Sequence, residues 1–250
     1  MKDRLTFEVI AYDSALPQTG SKKLVYFTDT NSNNEACSIT LLSEQFIIKF
    51  VFNHESAKEL IFKKLDIPLN SKVVFEVKHP LVSPREPDID VMIYKESEPH
   101  KTIAIQVKRV KVEAVSQKKD KVNKIEDIKK GIKQANITKD LGFYKVYLMI
   151  LAEVDGRERK EYNFLSRGMT PQTFTQLYEI ATFEKLYREI GIIIVEIVQP
   201  VDKDITQAGA IGVCLLRDAK PEEQKEKLTN KIKGFIRYRE KLEGKVWAVY

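Results

Sequence analysis

The feature that most limits the fold is the alternation of short, strongly apolar runs with stretches of helical period. LGFYKVYLMILAEV (141–154) and GIIIVEIVQPV (191–201) are almost continuously apolar and of strand length. Strands that read this way are buried on both faces, as in sheets with helices packed above and below. Between them, residues 172–190 place Phe174, Leu177, Tyr178, Ala181 and Leu186 at helical spacing. Upstream lie three shorter β segments, Lys72–Lys78, Asp88–Tyr94 and Thr102–Val112, then a lysine-rich stretch over 117–140. That stretch is expected to be one amphipathic helix, with Val122, Ile125, Ile128, Ile132 and Ala135 as its buried stripe. Helix, three strands, helix, strand, helix, strand predicts an α/β fold, a mixed central sheet flanked by helices.

The chain divides into three parts of one domain. Residues 1–42 form a β-rich N-terminal extension, with LTFEVIAY and KLVYF separated by turn chemistry. Residues 43–205 form the core. It opens with a helical stretch from Ser43 to Asp66, within which Glu44–Phe52 also suits a strand. Residues 206–250 add a strand, AIGVCLLRDA, and a helix that starts after Pro221 and packs through Leu228, Ile232 and Phe235, with Trp247 as a packing anchor.

Composition removes several classes. The balance of 42 Lys+Arg against 36 Asp+Glu, net +6, permits a nucleic-acid partner without requiring one. Two cysteines, Cys37 and Cys214, give no disulfide framework and fit a reducing cytoplasm. Three histidines, His54, His79 and His100, read as surface residues and leave little for structural zinc. No GxGxxG, P-loop or GxSxG motif is present. No uncharged run reaches the ~18 residues of a membrane span, and the N-terminus MKDRLTFEV lacks a leader's apolar stretch. A cytoplasmic protein with no membrane association is expected.

Side chains two apart on a strand share a face. Val73, Phe75 and Val77 are then expected on one face and Glu76 and Lys78 on the other. Ile89, Val91 and Ile93 likewise oppose Asp88, Asp90 and Met92, and Ile103, Ile105 and Val107 oppose Gln106 and Lys108. After Arg109 the apolar positions change phase at Val110 and Val112, which predicts that the strand leaves the sheet or bulges. An antiparallel sheet with one wet face would show much of this alternation. The polar positions are specific, however: acids on one strand face an amide and a lysine on a neighbour joined to it by a short polar turn.

PDIDVMI, a turn, then IAIQVKR resembles the motif of the PD-(D/E)XK nuclease superfamily, the restriction-endonuclease-like fold. Pro87-Asp88 and Asp90 match its aspartate motif. Gln106-Val107-Lys108 match the second motif, with glutamine where most members carry an acid, as in the Mrr-type branch. The resemblance covers about residues 44–155. It implies a metal-dependent DNA endonuclease using Mg²⁺ (or Mn²⁺), acting in many relatives as a homodimer. Asp90 would be the essential metal ligand, with Gln106 and the backbone carbonyl of Val107 completing the set and Lys108 steadying the phosphoryl transition state. Asp88 competes with Asp90 for that role, but Asp90 directly precedes the apolar run. A further acid would come from the preceding helix, where Glu44, Glu55 and Glu59 are candidates, or from Glu76. DNA would meet Arg109, Lys111, Lys118, Lys121 and Gln134; the same lysines also suit a solvated helix face. Tyr238, Arg237 and Arg239 on the last helix are weaker candidates. Glutamine in place of an acid removes one ligand charge. Two rivals therefore stand beside the nuclease: a catalytically inactive nucleic-acid-binding protein of the same fold, and a non-nuclease interaction protein of a mobile-element or defence system.

Overall fold

The computed structural model describes the backbone of residues 8–11, 20–26, 43–78, 81–82, 85–159, 168–183, 185–199 and 208–243, and the side chains of these except 8–26, 182–183, 208–209 and 239–243. Cys37, His79, Trp247, the side chain of Arg239 and most of the expected N-terminal extension lie outside that description.

Among the described residues, nine strands form one mixed sheet: β1 (Glu8–Ala11), β2 (Gly20–Tyr26), β3 (Lys72–Val77), β4 (Ile89–Tyr94), β5 (Ile103–Ser116), β6 (Lys119–Asn123), β7 (Lys145–Asp155), β8 (Gly191–Gln199) and β9 (Ala208–Arg217). Their order is β1-β2-β9-β8-β7-β5-β4-β3, and β6 pairs with β5 off this path. The central pairs β5–β7 and β7–β8 are parallel, and the outer pairs are antiparallel. β1 and β2 join the sheet through β9, so the described N-terminal strands extend the same sheet as the core.

Among the described residues, five α-helices cover the two faces: α1 (Glu44–Asn53), α2 (Glu55–Lys64), α3 (Asp127–Asp140), α4 (Pro171–Phe183) and α5 (Glu226–Glu243). Ile47, Val51, Phe52, Leu60 and Ile61 of α1 and α2 pack against Val91, Ile93, Ile105, Val107, Met149 and Ile193. On the other face Ile128, Ile132, Ala135, Leu177, Ala181, Leu228 and Ile232 of α3, α4 and α5 meet Met92, Val110, Val112, Leu148, Ile150 and Ile194. β7 and β8 are thus buried on both sides, as their unbroken apolar runs predict. Each such leucine or isoleucine contributes about 1.5–3 kcal/mol.

Five local expectations are corrected. The stretch 117–140 is not one helix: residues 119–123 form β6, which pairs antiparallel with the end of β5, and α3 begins only at Asp127. Asp120 explains the difference. Its carboxylate is buried and accepts hydrogen bonds from the N–H and Oγ1 of Thr170 at 2.9 and 3.0 Å and from Thr173 Oγ1 at 2.6 Å, and pairs with Arg159. This ties β6 to the start of α4, and Lys124, at φ 65°, turns the chain into α3.

Second, β5 does not leave the sheet after Arg109: its register with β7 is unbroken from Ile103 to Glu113, and the irregularity it carries lies further on, against β6 between Ala114 and Ser116. Ala104, Gln106, Lys108, Val110 and Val112 share one face throughout. The apolar positions change phase because the covering helices differ along the strand. Third, Val77 and Ile89 lie on the opposite face from Phe75 and Val91, since both join the α3 side of the core. Glu76, between them, is held at φ 51°, a left-handed conformation that costs a non-glycine residue about 1–2 kcal/mol. It reverses the alternation of β3, and β4 follows through the pairs Phe75–Val91 and Val77–Ile89.

Fourth, α5 starts at Glu226 rather than after Pro221. The N–H groups of Glu222 and Lys225 bond the carbonyls of Tyr144 and Gly142, and the buried Gln224 carboxamide bonds Thr102 N–H and the Pro99 carbonyl. These contacts hold residues 222–225 outside the helix. Fifth, α4 ends at Phe183, short of the expected Ile190. Glu44–Phe52, open between helix and strand in sequence, is helical, and Ser43 caps it by accepting the Phe46 N–H.

Candidate active site

The site is built on one edge of β5. Its other edge is occupied by β7 along the whole run from Ile103 to Glu113, so β4 and β6 must share the remaining edge. β4 pairs with Ile103–Ile105 and β6 with Lys111–Ser116. Between them the ladder is open over Gln106–Val110, where β4 diverges.

Asp90 fills this gap. Its Oδ2 accepts the Val107 N–H at 2.7 Å, replacing the missing strand partner, and lies 3.7 Å from Lys108 Nζ. The N–H and C=O of one strand residue point to the same side, so the Val107 carbonyl also faces the gap. Burial pushes the Asp90 carboxyl above its ordinary range; the Lys108 ammonium and the Val107 N–H pull it down, and Glu44 adds to the rise.

Gln106 is fully buried. Its Nε2 donates to the Asp88 carbonyl and to Thr138 Oγ1, both at 2.9 Å, while its Oε1 is buried without a hydrogen-bond partner. A half-buried carboxyl above its ordinary range, the unsatisfied buried carboxamide oxygen of Gln106 and the Val107 main-chain carbonyl are oxygen donors of the kind a hard divalent cation takes, together with several waters. Among the described residues, no group of three or more His, Cys, Asp or Glu side chains is gathered closely enough to hold an ion. The oxygen set therefore rests on Asp90, Gln106 and Val107 with water.

Beside the gap, α1 and β3 enclose a pocket of about 260 Å³ lined by Glu44, Gln45, Ile48, Lys49, Phe75, Glu76 and Asp90. Glu76 accepts from Gln45 Nε2 at 2.5 Å. The structure thus brings Glu44 and Glu76 to the Asp90 side of the pocket. Glu55 and Glu59 lie on the exposed side of α2 and do not line it. The Asp88 carboxylate pairs with Lys78 at 3.2 Å on the surface, and it is the Asp88 main-chain carbonyl that serves the site.

The expected nucleic-acid contacts divide. Arg109 is 10% exposed and lies between Glu153 (Nη1–Oε1 3.2 Å) and Glu44 (Nε–Oε2 3.8 Å) on the α1 side of the sheet. It is an internal clamp rather than a surface contact. Lys111 is half-buried on that face, whereas Lys118 and Lys121 are exposed on the β5–β6 hairpin, with Lys121 3.5 Å from Glu113. Gln134 lies on α3 with its Oε1 buried and unbonded. His54 and His100 are not among the pocket residues.

Sequence reasoning missed Glu153, Gly131 and Thr138. Glu153 is fully buried, and burial holds its carboxyl up at about 7 although Arg109 and Lys111 pull it down. A lone acid inside LMILAEV is the signal that could have found it, because an acid is rarely buried without a partner.

The mixed sheet with helices on both faces defines an α/β protein, and no described helix is long and apolar enough to cross a membrane. No protein-family model, curated protein or solved structure matches this chain.

Proposed function

We propose that this chain is a metal-dependent endonuclease that hydrolyses phosphodiester bonds in DNA, built on a restriction-endonuclease-like core. One observation carries the reading: a half-buried carboxylate (Asp90) and an ammonium (Lys108) meet where the β5 edge lies open between two partner strands, beside the buried carboxamide of Gln106. Asp90, the Val107 carbonyl and Gln106 Oε1 would hold Mg²⁺ (or Mn²⁺). When bound, the ion would supply a water of lowered pKa and polarise the scissile phosphate.

The chain's own residues do the rest. The Val107 N–H fixes the Asp90 carboxylate in the gap. Lys108, 15% exposed beside it, presents a compact positive charge to a non-bridging phosphate oxygen, where charge builds as water attacks phosphorus. The attacking water releases a proton to solvent, the P–O ester bond breaks, and the leaving alkoxide takes up a proton from solvent. Lys118 and Lys121 on the hairpin would meet backbone phosphates, and a homodimer would present two such sites to two strands.

The test is incubation with supercoiled plasmid and Mg²⁺ or Mn²⁺, comparing wild type with Asp90→Asn and Lys108→Ala. Nicking that falls at least 100-fold in both variants is expected, in line with loss of a group that stabilises transition-state charge. Nicking unchanged by both substitutions sinks the assignment. A second reading has support of its own: the Asp90 carboxylate already has a main-chain hydrogen bond and a lysine partner, a self-satisfied arrangement that a binding-only protein could keep. It predicts salt-sensitive DNA affinity with no nicking.

A further inference from the structure

Helix α3 controls both side chains of the Gln-x-Lys pair. Thr138 Oγ1 donates its only hydrogen to the Gln134 carbonyl at 2.9 Å, so toward Gln106 it can only accept. The Asp88 main-chain carbonyl can likewise only accept. Two acceptors therefore select the NH₂ end of the Gln106 carboxamide. A flipped amide would set its oxygen against both. The helix thus dictates that Oε1 is the end left over, and Oε1 is the buried atom without a partner.

Two turns earlier on the same helix stands Gly131. A Cβ added there would penetrate Lys108 Cγ and lie 3.1 Å from both Lys108 Cδ and Leu148 Cδ1. The space that any other residue would occupy is filled by the Lys108 stem, which runs between α3 and the sheet and brings Nζ to within 3.7 Å of Asp90. Glycine in a helix interior is unfavourable relative to alanine, so its presence here needs a reason, and the lysine channel supplies one.

We propose that the inner face of α3 is a positioning template: Thr138 sets which end of Gln106 is presented, and Gly131 leaves the channel that carries Lys108 to Asp90. Neither residue touches substrate. The consequence for turnover rests on the endonuclease reading; the placement of the two side chains does not.

The test uses the full chain with Thr138→Val, Thr138→Ser and Gly131→Ala. Mn²⁺ affinity by titration calorimetry is expected to fall about tenfold in Thr138→Val and to stay within about twofold in Thr138→Ser, which keeps the hydroxyl. In Gly131→Ala the rate of amine labelling at Lys108, read by mass spectrometry against Lys145 (side chain 13% exposed), should rise severalfold. Plasmid turnover should drop in kcat with KM unchanged. If Gly131→Ala does not fold, adding Lys108→Ala should restore folding by removing the obstructing stem. An unchanged Lys108-to-Lys145 labelling ratio, a double variant that also fails to fold, or Thr138→Ser as damaging as Thr138→Val overturns the template. Wild type that neither binds Mn²⁺ nor nicks plasmid overturns the endonuclease reading instead, and the labelling ratio then still decides the role of Gly131.

Discussion

Glu153 makes the stability of this protein depend on pH in a direction opposite to the usual carboxylate. Its carboxyl is fully buried on the α1 face of β7, and desolvation outweighs the pull of Arg109 and Lys111, so that it titrates at about 7 instead of 4.5. Between those values the folded protein keeps a proton that the unfolded chain has lost. Stability from this group is therefore fully present below pH ~4.5 and is lost as pH rises through about 7. The interval is worth about 3 kcal/mol at 1.36 kcal/mol per pKa unit. Glu153→Gln keeps the shape and an acceptor for Arg109 Nη1, now 3.2 Å from Oε1, but cannot ionise. Urea unfolding of both proteins across pH 5–8 isolates the effect, because other groups cancel in the difference. The variant should be within about 1 kcal/mol of wild type near pH 5 and more stable by up to about 3 kcal/mol at pH 8. In a chain of this length that is roughly 6–12 °C in Tm. A constant difference across that range, or a variant less stable at pH 8, refutes the account of Glu153 as an undercompensated buried charge.

Two further outcomes follow from named contacts. Asp120→Ala removes the carboxylate partner of the Arg159 guanidinium, 2% exposed and otherwise bonded to the Ser116 and Gly168 carbonyls, and unties β6 from Thr170 and Thr173. Breaking one side of such a buried pair costs about 3–5 kcal/mol, measurable as a lowered urea midpoint, and a loss under 1 kcal/mol would show that the hairpin anchor is dispensable. If the hairpin lysines meet phosphates, the double variant Lys118→Ala/Lys121→Ala should weaken DNA binding similarly for all sequences. The slope of log affinity against log salt should then flatten by about 2. An unchanged slope in fluorescence anisotropy would place the DNA elsewhere.

The buried strands were legible in sequence because burial on both faces leaves a run such as YLMILAEV with little freedom of interpretation. The Asp90–Lys108 juxtaposition was legible too, since a short turn makes neighbours of consecutive strands and period two fixes which side chains share a face. What failed did so for identifiable reasons. The hairpin was hidden because its turn, around Gln117 and Lys118, carries no glycine or asparagine, and lysines suit an exposed strand as well as an exposed helix. The reversal of faces at Val77 and Ile89 depends on a single left-handed residue, and glutamate gives no warning of positive φ. Arg109 was read as a surface contact because a charge following QVK looks exposed; only the parallel register, which sets Lys111 beside Glu153, turns that face inward.

The same register explains why the polar groups gather at this point of the sheet. A strand that is paired along one edge for eleven residues, yet exchanges partners on the other, must somewhere leave main-chain groups without a ladder. Burying an unpaired N–H or carbonyl is costly, so the gap has to be filled by a side chain that can accept from Val107 and by something that can satisfy its carbonyl. Asp90 meets the first need. On the reading proposed above, the second would be met by the bound cation. On this view the strand exchange comes first and the chemistry follows from it. Shortening the exchange, by letting β4 run on along β5 past Ile105, would pair the Val107 carbonyl conventionally and close the site without altering any residue of the Gln-x-Lys pair.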